Sequence, residues 1–355
     1  MKIGKVSESV LKRSVLRQIK TKRTEILNGA GVGADCAIFA PASGELWTSC
    51  MQEGRITYEN REGTFGEPSV TISRLIGKCA NNLAAAGSEP VAVMITLLLP
   101  EKVEEPWLKA LMKEAENACE KLSVQIAGGQ TRVSTAVTEP VAVVTGYGKR
   151  QGKPAAELCR KPVGQPAEKQ AAAILCQLPV PGQDIVVSKW IGLEGTALLA
   201  KQHREKLLAR YPAYFVEEAA AFDRYASVLP EAATAVKSGV CTMHDASEGG
   251  IFGALWEMAE RAGVGLTIDL RKLPVRQETV EVCECCGVNP YELLSGGCLV
   301  MTAADGETLA AALRREGIPA AVVGKITDSN DRIIVNEDEI RYMDRPRTDE
   351  IYKGV

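Results

Sequence analysis

Hydrophobic positions in the first 150 residues switch between two spacings, which predicts strands alternating with helices. Alternating or continuous apolar residues predict strands at 35–40, 46–51, 91–99, 124–127 and 140–147. Apolar residues three and four apart predict amphipathic helices over about 68–86 and 106–122. Pro68 suits a first helical turn, and Gly87 suits the residue that follows a helix end.

The same alternation returns after about residue 180. Strands are predicted at 184–188, 240–243, 266–270, 298–302 and 320–325. Helices are predicted at 193–202, 213–226, 230–238, 248–262 and 305–316, the last with Asp305 as its cap. Interleaved strands and helices of this kind are typical of layered α/β domains, and no solenoid or propeller repeat is present.

A stretch rich in Gly, Pro and charge separates the two halves at 149–170. The expected organisation is a first domain over 1–150, a linker over 151–170, a second domain over 171–340 and a tail over 341–355. A chain of 355 residues is long for one hydrophobic core, which also favours two domains.

Composition narrows the classes of function. The chain is 46% hydrophobic and 25% charged, with a net charge of −3, so it lacks the basic excess typical of proteins that bind nucleic acid or membrane surfaces. The longest apolar run, 91–99, is too short to span a bilayer, and residues 1–5 do not resemble a signal peptide. A cytoplasmic location is therefore expected.

The 11 cysteines are an odd number spread over a long chain, which favours reduced thiols. Cys283, Cys285 and Cys286 form the one tight cluster. A zinc site is the more specific hypothesis for this cluster, but a second pair of ligands at the spacing of zinc sites is missing. Ordinary thiols on a helix are the preferred interpretation.

Two glycine segments in the first half could bind phosphate. Residues 28–35 read Asn-Gly-Ala-Gly-Val-Gly-Ala-Asp, and Gly31 and Gly33 would let backbone N–H groups approach an anion. A plain turn is the alternative, since the Lys-Ser/Thr of a P-loop is missing. Gly128-Gly129-Gln130-Thr131 follows the predicted strand 124–127, at the edge where α/β proteins bind ligands, although a hairpin turn is also possible.

Two further segments place polar groups at helix ends. Asn81 and Asn82 lie in the last turns of a predicted helix, beside a polar site or facing solvent. Residues 244–250, His-Asp-Ala-Ser-Glu-Gly-Gly, connect a strand to a helix whose free N–H groups could receive an anion. Asp245 or Ser247 could cap this helix, and Gly249-Gly250 indicates close approach by a ligand or another backbone.

In this order, the segments resemble the AIR synthase (PurM)-like superfamily, in particular its AIR-synthase-related and HypE-type hydrogenase maturation branch. The resemblance covers nearly the whole chain and is carried by six segments: 28–37, 81–90 (Asn-Asn-Leu-Ala-x-x-Gly-Ser-Glu-Pro), 128–131, 189–196 (Lys-Trp-Ile-Gly-Leu-Glu-Gly-Thr), 244–250 and 289–297.

The resemblance implies a PurM-like two-domain fold whose first domain forms a β-barrel with a twin subunit, making a homodimer. ATP and Mg²⁺ would lie between the domains, and ATP would phosphorylate a carbonyl, carboxylate or amide oxygen of a small-molecule substrate. A protein partner is also implied. Asp35, Asn82 and Asp245 would be catalytic, with Asp35 and Asn82 at the metal. The nucleotide would contact Gly31, Gly33, Asn81, Gly128, Gly129, Gln130, Thr131, Lys189, Glu248 and Gly249.

Several carboxylates that hold Mg²⁺ in the family are replaced here, although Mg²⁺ prefers carboxylate oxygens. Ala34, Cys50 and Asn82 stand where relatives carry an acid, and Gln130 and Arg132 are not acidic either. Asp35 is the one clear retention. The HypE reaction also uses a C-terminal cysteine, whereas this sequence ends in Val355.

These departures leave two alternatives to an ATP-dependent enzyme. The chain could be a catalytically degenerate, dimeric partner protein that binds a nucleotide or another anion. Alternatively, Cys36, Cys50 and Cys79 could form a thiol or soft-metal site. For these three cysteines, the simpler interpretation is that each fills space as a small buried hydrophobe.

Overall fold

Two β-sheets with helices on their faces organise the chain in a computed structural model. The structure describes residues 8–10, 12, 16, 26–28, 31–34, 36–39, 45–56, 71–150, 178–240, 242–345 and 347–354. The predicted linker 151–170 and Asp35 lie outside the described residues.

The first sheet has six strands in the order β1-β2-β3-β6-β4-β5. Its neighbours are antiparallel except for β4 and β5, which run parallel. The strands are β1 (Ile26–Asn28), β2 (Ala37–Phe39), β3 (Trp47–Arg55), β4 (Ser88–Leu99), β5 (Gln125–Val133) and β6 (Val141–Arg150). A short helix, α1 (Glu8–Val10), precedes them.

Two helices cover one face of this sheet: α2 (Ile72–Ala85) and α3 (Glu105–Leu122). Leu75, Cys79 and Leu83 of α2 are at most 1% exposed and share a core with β-strand residues such as Val144. The opposite face is open: Met51 and Met94, which both pair with Thr145 of the intervening β6, are 61% and 41% exposed.

The second sheet has seven strands in the order β13-β12-β9-β11-β7-β10-β8. All pairs are antiparallel except β12 with β9. The strands are β7 (Asp184–Ser188), β8 (Thr242–Ala246), β9 (Gly265–Asp269), β10 (Cys298–Ala303), β11 (Ala320–Thr327), β12 (Arg332–Asn336) and β13 (Glu339–Tyr342). The central strands β7 and β10 are almost fully buried, as their continuous apolar residues require.

Helices pack on this second sheet and on one another. They are α4 (Leu193–Gln202), α5 (Arg204–Leu208), α6 (Ala213–Ala220), α7 (Leu229–Lys237), α8 (Gly250–Ala262), α9 (Gln277–Cys286), α10 (Gly306–Arg315) and α11 (Ile351–Gly354). Asp305 caps α10 as predicted, since its carboxylate accepts the Thr308 N–H at 3.0 Å. None of the helices in the described ranges is long and apolar enough to cross a bilayer.

Two segments that were predicted to follow strands lie partly or wholly inside them, which corrects the sequence-based prediction. Gly128–Thr131 lies inside β5, because the parallel ladder with β4 continues through all four residues. His244 and Asp245 lie inside β8, opposite Val300 and Leu299 of β10. In both places the neighbouring strand supplies hydrogen-bond partners that local sequence does not reveal.

The two sheets are joined mainly through α2. Ala84 and Ala85, at its end, belong to one buried cluster with Val228 next to α7 and Met243 of β8. The small side chains of 84–86 allow this close contact between helix α2 and the second sheet. The end of α2 therefore lies beside the strand that carries His244 and Asp245.

Replacing Gly129 by Ala should destabilise the first sheet strongly. The backbone there has φ +151°, and an added Cβ would lie 1.9 Å from the Ile95 carbonyl oxygen. We expect Gly129→Ala to cost about 2–4 kcal/mol in the free energy of unfolding. Gly128→Ala is the matched control, because its Cβ would meet only the Met94 methyl at 3.7 Å. Urea titrations of both variants that show equal stability would contradict this assignment of strand β5.

Candidate functional site

Segments from both halves of the chain meet at the end of α2. The Cys36 thiol donates to the Asn82 carbonyl oxygen at 3.2 Å, which places the glycine turn at 31–36 against this helix. The Cys50 thiol of β3 donates to the Cys79 carbonyl oxygen at 3.3 Å. Positions 36, 50 and 82, separated by up to 46 residues in sequence, therefore lie near the same helix.

The glycine turn also touches the second half. At Gly33 the backbone has φ +66°, and a Cβ there would lie 2.5 Å from the Glu257 carbonyl oxygen of α8. The Arg261 guanidinium donates to the Gly33 carbonyl oxygen at 3.4 Å. Gly31 is exposed in the same turn. Glycine at 33 is thus explained by close approach of a helix backbone.

Only a water-sized cavity of about 10 Å³ remains where Gly33 meets β8 and α8. His244 lines it, and its ring Nε2 lies 3.4 Å from the Glu257 carboxylate. The described residues at this contact therefore pack closely around a space the size of one water molecule.

Asn81 ties α2 to the second half. Its side chain is 4% exposed; the amide nitrogen donates to the Ala226 carbonyl oxygen at 2.8 Å, and the amide oxygen accepts the Val228 N–H at 3.0 Å. Both of its polar ends are therefore used for structure. Asn82, next in sequence, is half-buried, so its side chain remains the more accessible of the two amides.

Lys189, from the second half of the chain, binds the segment 225–231 that Asn81 also contacts. Its ammonium group donates to the carbonyl oxygens of Tyr225 and Ser227 at 2.8 and 2.7 Å and lies 2.5 Å from the Glu231 carboxylate. A buried lysine needs such partners, because an unpaired charge away from water is costly. Lys189 and Asn81 thus anchor residues 225–231 from opposite halves of the chain.

A buried carboxylate adds a charged link between the halves. Glu194, 4% exposed at the start of α4, lies 2.7 Å from the Arg74 guanidinium and 2.9 Å from the Lys78 ammonium group of α2. Burial opposes its ionisation, yet Lys78 and Arg74 together hold the pKa of Glu194 below its usual value. Gly296 allows this arrangement, because a Cβ there would lie 1.9 Å from the Glu194 carboxylate.

The start of α8 is capped by a carboxylate from a distant part of the chain, that of Asp349. Gly249, with φ +90°, precedes the helix, and its N–H donates to the Asp349 carboxylate at 2.6 Å. Neither Asp245 nor Ser247 caps the helix, because Asp245 is part of β8 and the helix begins at Gly250.

Gly250 is explained by a neighbouring backbone, since a Cβ added at Gly250 would lie 2.6 Å from the Tyr291 carbonyl oxygen. Glu248 accepts the Tyr352 hydroxyl at 3.4 Å.

Gly128–Thr131 does not join this site within one chain. All four residues are exposed on β5, the outer strand, whereas Cys50 lies on β3. Strands β6 and β4 lie between them, so the separation is about 14 Å at the usual strand spacing. Gln130 and Thr131 therefore lie well away from Cys50 within one chain.

The described residues do not form a carboxylate-rich Mg²⁺ site. Nowhere in the described ranges do three or more His, Cys, Asp or Glu side chains group to hold a metal. The sequence predicted two metal ligands, Asp35 and Asn82. Asp35 lies outside the described residues, so Asn82 is the one of the two whose position the structure describes. Cys50 and Cys79 donate to backbone carbonyl oxygens, and Cys283 and Cys285 are buried on α9.

Sequence reasoning missed two groups that define the site. Asp349 lies 100 residues from the helix it caps, and Glu194 is 116 residues from its partner Lys78. Neither pairing leaves a local pattern. The one available signal was Gly249 before an apolar helix without a local side-chain cap, which indicates that the cap comes from elsewhere.

A larger cavity of about 660 Å³ opens at the start of α8, where Gly249, Phe252 and Gly253 line it. Its size suits a small molecule. Four cationic side chains and four carboxylates line it, so it favours neither sign of charge: Arg341, Arg345, Arg347, Lys353, Glu284, Glu292, Asp344 and Glu350.

Comparison with known proteins agrees with this architecture. The N-terminal domain model of AIR synthase related proteins matches residues 60–149, and the C-terminal domain model matches residues 180–336. The carbamoyl dehydratase HypE of Rhodobacter capsulatus is 30% identical over 261 residues, which cover 70% of this chain and 69% of that protein.

Solved structures share the fold at low sequence identity. A crystal structure of a HypE-HypF complex matches with a TM-score of 0.70 and 19% identity, covering 95% of this chain and 99% of that chain. A HypE structure in complex with ATP matches with a TM-score of 0.65 and 15% identity, covering 98% and 97%. These likenesses establish the two-layered PurM-like fold.

Stability should depend on pH through Asp349. Burial raises the pKa of Asp349 from 3.8 to about 6, although the N–H groups of Ile351, Gly249 and Leu294 act in the opposite direction. The folded protein then holds this proton more tightly than the unfolded chain. The contribution of Asp349 to stability is therefore full below pH 3.8 and is lost as the pH rises through about 6.

Asp349→Asn removes this titration. We expect the stability of the wild type relative to Asp349→Asn to fall by up to roughly 3 kcal/mol between pH 4 and pH 7. Denaturant titrations at several pH values measure the difference, and Asp344→Asn, at an exposed position, is the control. A difference that does not change with pH would contradict the raised pKa.

Proposed function

The chain belongs to the AIR synthase related protein family, and from that membership we propose that it uses ATP to activate an amide or carboxylate oxygen of a small-molecule substrate. The observation that supports this most directly is the meeting of the 31–36 turn, the α2 end and β8 around Asn82. A relative of the same fold has been crystallised with ATP. In such a reaction the protein's task is to position the phosphoryl group and balance its charge.

The proposed site requires two copies of the chain. Residues 128–131 lie about 14 Å away from β3 across the sheet, so they contribute only if another copy brings its β5 to this site. The open sheet face with Met51 and Met94 supplies a reason for dimerisation, since exposed apolar rows favour burial. If the first sheets of two copies joined into one closed barrel, the exposed edge strand β5 would also be paired.

Asn82 is the described side chain best placed for the nucleotide. Asn82 is half-buried, its backbone carbonyl oxygen accepts the Cys36 thiol, and its side-chain amide oxygen is a ligand that Mg²⁺ accepts. Since the described residues do not build a metal site of their own, Mg²⁺ enters the proposal only as the ion that accompanies ATP. Asp35 and Asp245 remain proposed catalytic residues on the basis of the resemblance.

A catalytically degenerate binding protein is the second candidate. Cys50 and Asn82 stand where relatives carry acids, and only about 10 Å³ of open space lies between Gly33 and α8. ATP binding without turnover would favour this candidate. Turnover of ATP that depends on a substrate amide or carboxylate would favour the enzyme.

Nucleotide binding is tested by calorimetry with a non-hydrolysable ATP analogue, with and without MgCl₂. We expect binding that Asn82→Ala weakens about tenfold, the effect of losing roughly 1.4 kcal/mol of contact. Asn82→Asp should strengthen the Mg²⁺-dependent part, because it adds a carboxylate. Asn336→Ala, at the end of β12, is the control. No binding by the wild type at millimolar analogue would refute the proposal.

The dimer is tested by light scattering on a size-exclusion column. Met94→Glu places a charge in the open apolar row, so we expect the dimer to dissociate into monomers at micromolar concentration. Val280→Glu introduces the same charge on α9, where Val280 is 36% exposed, and should leave the mass unchanged. A wild type that is monomeric at all concentrations, or a dimer that tolerates Met94→Glu, would show that this face is not the interface.

A further inference from the structure

The cavity of about 660 Å³ at the start of α8 lies apart from the proposed nucleotide site. Its lining comes from the start of α8, the end of α9 and the loop after it, β12, β13 and the segment 344–353. Among the described residues, none from α2 or from the 31–36 turn takes part in this lining. The volume is within the usual range for small-molecule sites, so a ligand could bind here independently of Asn82.

One part of the cavity lining, the apolar wall, consists of Phe252, Val288 and Ile334. All three side chains are at most 8% exposed. The Phe252 ring stacks on the Tyr291 ring, with centroids 5.1 Å apart and planes 10° from parallel, which fixes its orientation. A ligand that covers this wall gains free energy by removing apolar surface from water, so it should carry an apolar group.

Two of the four cations in the lining are already paired. The pairs are Lys353 with Glu350 and Arg345 with Glu8. In the described part of the chain, the guanidinium groups of Arg341 and Arg347 have neither an ion pair nor a hydrogen bond. A guanidinium group binds a carboxylate through two parallel N–H donors. Arg341 and Arg347 can therefore receive a carboxylate from outside the chain.

Two of the four carboxylates in the lining are also engaged. Glu350 accepts the backbone N–H of Asn289 at 3.2 Å, and Glu292 accepts its side-chain amide at 3.1 Å. Glu284 of α9 and Asp344, after β13, are exposed and form no ion pair or hydrogen bond with any described residue. The cavity thus offers unpaired groups of both signs, which an uncompensated anion or cation would match only in part.

Gly253 gives independent evidence that the cavity accommodates a ligand. This glycine lies inside α8, where alanine would stabilise the helix, and it lines the cavity. A Cβ added there would meet only the Glu248 carbonyl oxygen at 3.5 Å, an ordinary contact. Packing within the chain therefore does not require glycine at this position. Close approach of a ligand to the helix backbone does explain it.

We propose that this cavity binds a small zwitterion of short-peptide type. Its carboxylate lies on Arg341 and Arg347, its ammonium group lies near Glu284 and Asp344, and its apolar side chain covers the apolar wall beside Gly253. The charges of such a ligand complement both sets of unpaired groups. The site is additional to the proposed nucleotide site and does not depend on ATP binding.

Calorimetry of the full chain with a dipeptide and its two singly charged forms tests the recognition of both charges. The probes are glycylphenylalanine, N-acetylglycylphenylalanine, which lacks the ammonium group, and glycylphenylalanine amide, which lacks the carboxylate. We expect the dipeptide to bind about tenfold more tightly than either derivative. Equal affinities of the three compounds, or no binding of the dipeptide at millimolar concentration, overturn the proposal.

Two double variants assign the charges to their partners. Arg341→Ala with Arg347→Ala should remove the advantage of the dipeptide over its amide, because the carboxylate loses its partners. Glu284→Gln with Asp344→Asn should remove the advantage over the N-acetyl form. Arg315→Ala, at an exposed position of α10, is the control and should leave all three affinities unchanged. Wild-type affinities in both double variants would overturn the site.

Gly253→Ala separates a ligand site from a structural role. We expect this variant to raise Tm by about 2 °C through helix propensity and to weaken dipeptide binding about tenfold through the added methyl group. Gly77→Ala is the matched control on α2, because a Cβ there would meet no atom within 4 Å. It should raise Tm similarly and leave binding unchanged. Wild-type dipeptide affinity in Gly253→Ala would overturn the placement of the ligand beside α8.

Discussion

The attachment of α2 to the second half of the chain is the constraint on which the candidate site depends. Asn81 uses both ends of its amide on the backbone of residues 226 and 228, and Glu194 pairs with Arg74 and Lys78. These contacts are buried, so breaking one partner leaves a polar group without water or a hydrogen bond. They fix the end of α2 beside β8, and thereby bring the 31–36 turn into contact with α8.

The chemistry around this helix end differs from a carboxylate-rich phosphoryl-transfer site. Thiols and an amide stand at 36, 50, 79 and 82, and the cysteine thiols at 36, 50 and 79 donate to backbone carbonyl oxygens. At the start of α8, the Gly249 N–H is bound by the Asp349 carboxylate of the same chain. Thiols and amides bring less negative charge to a divalent metal ion than carboxylates do.

Regular elements were largely predictable from sequence. The helices α2, α3, α4 and α10 begin and end within four residues of their predicted bounds, because long amphipathic periods and caps such as Asp305 are local signals. The family resemblance, which rested on ordered short segments, was confirmed by the match to both AIR synthase related domain models. The positions of Gly128–Thr131 and of His244-Asp245 were wrong, since a neighbouring strand extends pairing into segments that read as turns.

The sequence by itself determined the two α/β halves, the family and the polar segments from which a site is assembled, because hydrophobic period and motif order are written in neighbouring residues. Only the tertiary structure decided that Asn81 and Lys189 are structural anchors, that Gly33 and Gly250 make room for other backbones, and that Asp349 fills the start of α8. Each of these contacts joins residues more than 30 positions apart. Such partners are chosen by how the halves pack, and packing leaves no trace in the spacing of residues along the chain.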